Sequence, residues 1–112
     1  MVIIMEDLDK QIKLLKKLLK KNDLAESRIL CQKLVSVNPA HPEVNYLMGF
    51  IYDKLHFLKR ADEFLQKALN LDPNHYDTLV ELSLFHEKNG NHERASLYRE
   101  RAFRLANKID HS

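Results

Sequence analysis

Apolar positions recur along this chain with the period of an α-helix. Leu8, Ile12, Leu15 and Leu19 fall about one turn apart, and Tyr46, Met48, Phe50, Ile51 and Leu55 repeat the pattern. Side chains three and four residues apart share a helix face, so each run predicts an amphipathic helix. Short breaks interrupt the period at KKND (20–23), LHFL (55–58) and KNGN (88–91), the last placing Gly90 where a helix C-cap favours glycine. Stronger breaks stand at VNPAHPEV (37–44) and LDPNHYDT (71–78). Pro39 and Pro73 end helices there, and Pro42 suits the first turn of the next helix, where a missing N–H leaves no bond unmade. The pattern predicts helices in pairs.

Pro39 and Pro73 lie 34 residues apart, and sliding the chain over itself by 34 extends the match well past the turns. NDLAESRILCQKLVSVNPAH lies over HFLKRADEFLQKALNLDPNH, with Leu30 on Phe64, Cys31 on Leu65, Lys33 on Lys67 and His41 on His75. A second shift carries Ala61 onto Ala95, Phe64 onto Tyr98 and Ala68 onto Ala102. Three units result, 8–41, 42–75 and 76–109, each a helical hairpin, within a single domain spanning 1–112.

The middle unit, YLMGFIYDKLHFLKRADEFLQKALNLDP (46–73), resembles the tetratricopeptide repeat. Gly49, Tyr52, Ala61, Leu65, Ala68 and Pro73 fall where that family prefers Gly, Tyr, Ala, an aromatic, Ala and Pro. Small Gly and Ala let two helices approach, and the larger side chains fill the holes around them. The outer units depart from the pattern: Leu15 and Ser83 replace the Gly, Leu18 and His86 the Tyr, Cys31 and Arg99 the aromatic, and Asn107 the last Pro. The family's early tryptophan gives way to Gln11, Asn45 and Leu79. Terminal repeats face solvent on one side, which accounts for polar substitutions such as Arg99.

The resemblance implies an all-α fold, an α-solenoid of six antiparallel helices stacked as a right-handed superhelix. It further implies that the first helix of each pair lines a hollow. Three registers would then face inward: Ile12/Tyr46/Val80, Lys16/Phe50/Leu84 and Lys13/Leu47/Glu81. Tyr46, Phe50, Val80 and Leu84 would form an apolar patch larger than a monomer usually leaves uncovered, suited to an amphipathic helix or peptide laid in the groove. Some family members hold a chaperone's C-terminal carboxylate with Lys and Asn on these registers. Here Ile12, Lys16, Leu47, Asp77 and Glu81 stand there, one lysine and two carboxylates, so that clamp is not expected.

Composition adds limits rather than direction. The chain has 112 residues, enough for one modest core, and only two glycines and three prolines, which disfavours a sheet protein with many tight turns. Eighteen basic against sixteen acidic residues give no general case for nucleic acid or an anionic membrane. The basic excess sits at the front, in DKQIKLLKKLLKK, where Lys13, Lys16, Lys17 and Lys20 share one face of the first helix. A solvated face is the plainer reading; nucleic acid, anionic lipid or an acidic stretch of a protein ligand is the other. The opening MVIIM is too short for a signal-peptide core or a membrane span, and one cysteine excludes an internal disulfide, so a cytoplasmic location is expected.

Catalytic and metal-binding signatures are missing from the sequence. Six histidines include no i,i+4 pair, and no phosphate loop, nucleophile elbow or paired catalytic carboxylates can be found. His86 reads as a satisfied core histidine and Cys31 as a small buried hydrophobe. Asp9, Glu43 and Asp77 open the first helices and Lys20, Lys54 and Lys88 close them, as the helix macrodipole favours. The expectation is therefore no enzyme, no cofactor, no metal and no small-molecule substrate. The expected function is an adaptor or dedicated chaperone for an amphipathic segment of a partner protein. Self-association through the apolar surface is the alternative, with nucleic-acid or anionic-surface binding through the first-helix lysines behind it.

Overall fold

A computed structural model describes residues 5–110; residues 1–4 of the opening apolar run lie outside them. Six helices follow one another: α1 (Met5–Lys20), α2 (Leu24–Val37), α3 (Pro42–Lys54), α4 (Leu58–Leu71), α5 (Tyr76–Lys88) and α6 (His92–Asp110). No strand occurs among the described residues. Consecutive helices pair as hairpins, and the hairpins stack so that α3 packs on α2 and α5 packs on α4.

One turn geometry closes all three hairpins. Asn22 (φ 59°), His56 (φ 65°) and Gly90 (φ 83°) sit 34 residues apart in the left-handed region. Around each, two amides reach back into the finished helix: Asn22 N to Leu19 O and Asp23 N to Leu18 O, His56 N to Asp53 O and Phe57 N to Tyr52 O, Gly90 N to Glu87 O and Asn91 N to His86 O. This is the Schellman C-cap, which satisfies carbonyls that the helix end would otherwise orphan. Only the third hairpin uses the residue type that adopts this conformation freely.

Between hairpins the histidines of the two turns act as N-caps. The ring Nδ1 of His41 accepts the Val44 amide and that of His75 the Thr78 amide, each at 3.3 Å, and Pro42 opens α3 directly after its cap.

The core runs along the stack. Leu15, Ile51, Leu65 and Leu82 have no exposed surface, and each fully buried Leu or Ile contributes roughly 1.5–3 kcal/mol. Gly49 is the point of closest approach: a Cβ there would stand 2.8 Å from Leu65 Cγ and 3.1 Å from the Leu65 backbone N. Cys31 is fully buried, its Sγ 3.7 Å from the Val44 carbonyl, and burial pushes the thiol up to about 12.

The two ends of the stack differ. In α3, Val44, Leu47, Met48 and Ile51 are buried; one repeat earlier, α1 presents Lys10, Lys13, Leu14 and Lys17 to solvent. Much of the lysine run is thus a solvated face at positions where the middle repeat is apolar and buried.

Candidate functional site

The inward registers do not form one continuous patch. Tyr46 and Phe50 lie a turn apart on α3, both half-buried, with ring centroids 6.3 Å apart. Together with Leu19 and Leu47 they line a hollow of about 220 Å³ between the first two hairpins. Lys16, Lys20, Glu43 and Asp77 supply its remaining lining. Ile12, expected in the groove, is sealed in the core instead, and Leu47 is 4% exposed, so it floors the hollow rather than offering a contact face. These residues lie on the seam between hairpins, where the neighbouring helices close over an apolar side chain. Lys13 is exposed but does not line the hollow.

Val80 and Leu84 belong to a different surface. With Tyr76, Arg99, Ala102 and Phe103 they line a cavity of about 280 Å³ between α5 and α6, at the C-terminal end of the stack. The repeat register predicts them beside Tyr46 and Phe50, but they face the end of the stack instead. Nothing follows α6 among the described residues to cover them as α5 covers the second hairpin.

Two ionic networks, neither resolved by the repeat pattern, hold neighbouring hairpins together. Glu43 bridges α1 and α5: its Oε1 is 3.0 Å from Lys16 Nζ, and its Oε2 2.9 Å from His75 Nε2. The tautomer with its proton on Nε2 lets His75 donate to Glu43 while Nδ1 caps α5. The His75 hydrogen bond, aided by Lys16, holds the Glu43 carboxyl down at about 2, and Glu43 in turn raises His75 above the ordinary histidine value. Lys16, the one lysine on the carboxylate-clamp registers, is therefore already paired.

The second network lies one turn of the stack further on. Lys88 Nζ stands 2.7 Å from Oδ2 of Asp53, which is 2% exposed, and Glu81 lies beside Asp53. Burial first, and the neighbouring Asp53 second, raise the Glu81 carboxyl well above the usual carboxylate range, so it keeps its proton near neutrality. Lys88 thus does more than answer the macrodipole. The 34-residue recurrence of acid and base included Glu43 and Lys88, but spacing alone does not name the partners they meet.

His86 is buried and stacks on Tyr98 at 5.6 Å, with the rings 9° from parallel, and burial lowers its pKa. The expectation of a satisfied core histidine holds for its Nδ1, 3.4 Å from Asn91 Nδ2. It does not hold for Nε2, which is 3.9 Å from Asp62 Oδ1 and without a hydrogen-bond partner. Among the described residues no group of three or more His, Cys, Asp or Glu side chains gathers as metal ligands do, and no helix is long and apolar enough to cross a membrane.

Residues 42–75 match the family model of the tetratricopeptide repeat. Over 83 residues the chain is 30% identical to the probable biofilm formation methyltransferase WspC of Pseudomonas aeruginosa, a match that takes in 74% of this chain and 20% of that protein. Among solved structures, MamA from Desulfovibrio magneticus RS-1 superposes with a TM-score of 0.80 at 24% identity, covering 89% of this chain and 56% of that one. PilF of Pseudomonas aeruginosa gives 0.81 at 21%, covering 87% and 44%. The chain thus spans a fifth of the curated relative it matches and about half of each solved chain; at these identities the structures establish the fold. Members of this repeat family serve generally as protein-interaction modules. With residues 42–75 matched to the tetratricopeptide repeat and six helices paired and stacked as three such hairpins, the chain has the fold of a tetratricopeptide-repeat solenoid.

Proposed function

We propose that this protein is an adaptor or dedicated chaperone that receives the apolar face of an amphipathic helix or peptide from a partner protein in the hollow between its first two hairpins. The observation that carries this reading is the pair Tyr46 and Phe50, two aromatic rings only half covered on a rigid helix, with Leu19 and Leu47 beneath them. Large rigid rings in a preformed depression are the usual anchors of protein recognition, since little side-chain entropy is lost when they are covered. Lys20 is exposed at the same rim, which favours an acidic residue on the ligand next to its apolar stripe. Burying two or three partner side chains supports affinity in the micromolar range after ordering costs.

The test is affinity capture from the source cells with the wild-type chain and with Tyr46→Asp/Phe50→Asp, circular dichroism confirming that both are folded. Proteins retained by the wild type and lost by the folded variant are the expected result. Capture that survives the double substitution removes the hollow as the binding site. A parallel variant, Lys10→Gln/Lys13→Gln/Lys17→Gln, whose lysines are exposed and do not line the hollow, is expected to keep protein capture; a salt-sensitive affinity for DNA or anionic vesicles that this variant abolishes would favour the charged-surface reading instead.

A further inference from the structure

A hollow of about 620 Å³ opens between α4 and α6, the second helices of neighbouring hairpins. Another of about 220 Å³ shares Arg101 and Arg104 with it and reaches Lys108, so the two form one groove along α6. Arg94, Arg101, Arg104 and Lys108 fall on one helical face, and all four are exposed. Asp62, on the α4 wall, is the one acid lining the groove. Its Oδ1 is buried toward His86, 3.9 Å from Nε2, and it pairs with none of the arginines. Arg104 meets Glu100 at 3.2 Å, but both side chains are mostly in water, where such a pair contributes little. Arg101 gives one Nη to the Pro73 carbonyl and keeps its charge.

The equivalent face of the second hairpin is balanced. Arg94 and Arg101 stand where α4 has Arg60 and Lys67, so cations recur there, but Leu97 replaces Glu63 and Arg104 replaces Asn70. The exchange removes an acid, adds a cation and sets an aliphatic side chain, 59% exposed, between two arginines. A face that only had to stay solvated would keep the acid. An apolar contact point flanked by cations complements a ligand that is both apolar and anionic.

The chemistry of the lining narrows the ligand. Arginine presents a planar fork of donors that matches a carboxylate bidentately. Single-stranded nucleic acid needs an open aromatic face on which a base can stack. Tyr98 offers none: its ring is stacked on His86 and lies under Arg101, and its hydroxyl accepts from Gln66 Nε2 at 2.8 Å. Arg94 and Arg101 are two helical turns apart, about 10 Å along the axis, with Leu97 between them. A second helix laid along α6 matches that spacing with acids two turns apart and one apolar residue midway.

We propose that the groove between α4 and α6 binds an acidic amphipathic helix of a partner protein, its carboxylates on Arg94 and Arg101 and the apolar residue between them on Leu97. The groove shares no lining residue with the Tyr46–Phe50 hollow and does not depend on the function proposed for it.

The experiment is titration calorimetry of the full chain with a blocked, alanine-based helical peptide carrying two glutamates two turns apart and a leucine midway. A control peptide has lysines in place of the glutamates. The wild type is expected to bind the glutamate peptide with a dissociation constant of about 10–100 μM, weakened by added salt, and to ignore the lysine peptide. Arg94→Glu/Arg101→Glu, checked for fold by circular dichroism, is expected to bind the glutamate peptide at least about 10-fold more weakly and to take up the lysine peptide. Arg94→Glu alone provides the same reading should the double variant unfold. Tyr46→Asp/Phe50→Asp is expected to bind as the wild type does, which separates the groove from the hollow. A wild type that does not bind the glutamate peptide overturns the proposal, as does binding that survives Arg94→Glu/Arg101→Glu or is lost only on changing Tyr46 and Phe50. A single-stranded oligonucleotide that binds more tightly than the peptide, and is lost in the arginine variant, overturns the helix as occupant and assigns the groove to nucleic acid.

Discussion

Lys88, the last residue of α5, closes a 2.7 Å ion pair on Asp53, a carboxylate buried at the end of α3 in the preceding hairpin. Half of the lysine remains in water while the acid has none, so the two partners are unequal: Asp53 depends on Lys88 far more than Lys88 on Asp53. Removing the cation leaves a dry negative charge beside Glu81.

Lys88→Met should therefore destabilise the fold by about 1.5–3 kcal/mol, the range of a hydrogen bond to a charged group. Adding Asp53→Asn should recover part of that loss, because the orphaned charge goes with it. Urea unfolding of the two single variants and the double one, compared as a mutant cycle, measures the coupling.

Glu43 predicts a pH window. Its folded pKa is held down at about 2, so the stability it lends is present above its unfolded value near 4.5 and fades as the pH falls through that interval. His75 has a raised pKa, so its share is present below the unfolded value of 6.5 and is lost as the pH rises through the higher folded one. The difference between wild type and Glu43→Gln should thus be largest near pH 6, about 1–3 kcal/mol. It should shrink by pH 3 and also on the alkaline side. Chemical denaturation at three pH values reads it directly.

Gly49→Ala improves helix propensity by up to about 1 kcal/mol yet should lower stability. The new methyl would sit 2.8 and 2.9 Å from Leu65 side-chain carbons and 3.1 Å from its backbone nitrogen, so α3 and α4 must part. A net cost of about 1–2 kcal/mol is expected from overpacking. Thermal melts of wild type and variant decide the sign.

His56→Gly should go the other way. His56 is exposed and holds φ at 65°, a left-handed conformation that costs a side chain about 1 kcal/mol and glycine almost nothing. The third hairpin already uses Gly90 at this position. A gain of about 0.5–1 kcal/mol is expected, read as a higher denaturation midpoint at unchanged slope.

Helix number, pairing and stacking were legible in the chain because they rest on local and periodic signals: breaks at 20–23, 55–58 and 88–91, turns at Pro39 and Pro73, and small Gly49 and Ala61 at packing positions. The site was legible only in part. Tyr46 and Phe50 do line a hollow, but a register argument treats an inward row as uniform, whereas the neighbour of each row differs along the stack. Ile12 and Leu47 are closed over by adjacent helices, and Val80 and Leu84, having no following hairpin among the described residues, open toward the end cavity. Which carboxylate meets which lysine is likewise a matter of three-dimensional approach. The repeat showed that Lys20, Lys54 and Lys88 recur; it could not show that Lys88 touches Asp53.

The amide side chain of Asn45, fully buried in the slot the family fills with tryptophan, donates to the carbonyls of Pro39 and His41 at 3.0 and 2.8 Å. Leu79 occupies the matching slot one repeat on and can make no such bond, so the bend before α5 is fastened instead by Arg101, which reaches the Pro73 carbonyl at 3.3 Å from solvent. One elbow of the molecule is pinned from inside and the other from outside. The second is also held by the Glu43–His75 bridge, so salt and acid, which weaken ionic contacts and spare a buried amide, will loosen it before the first.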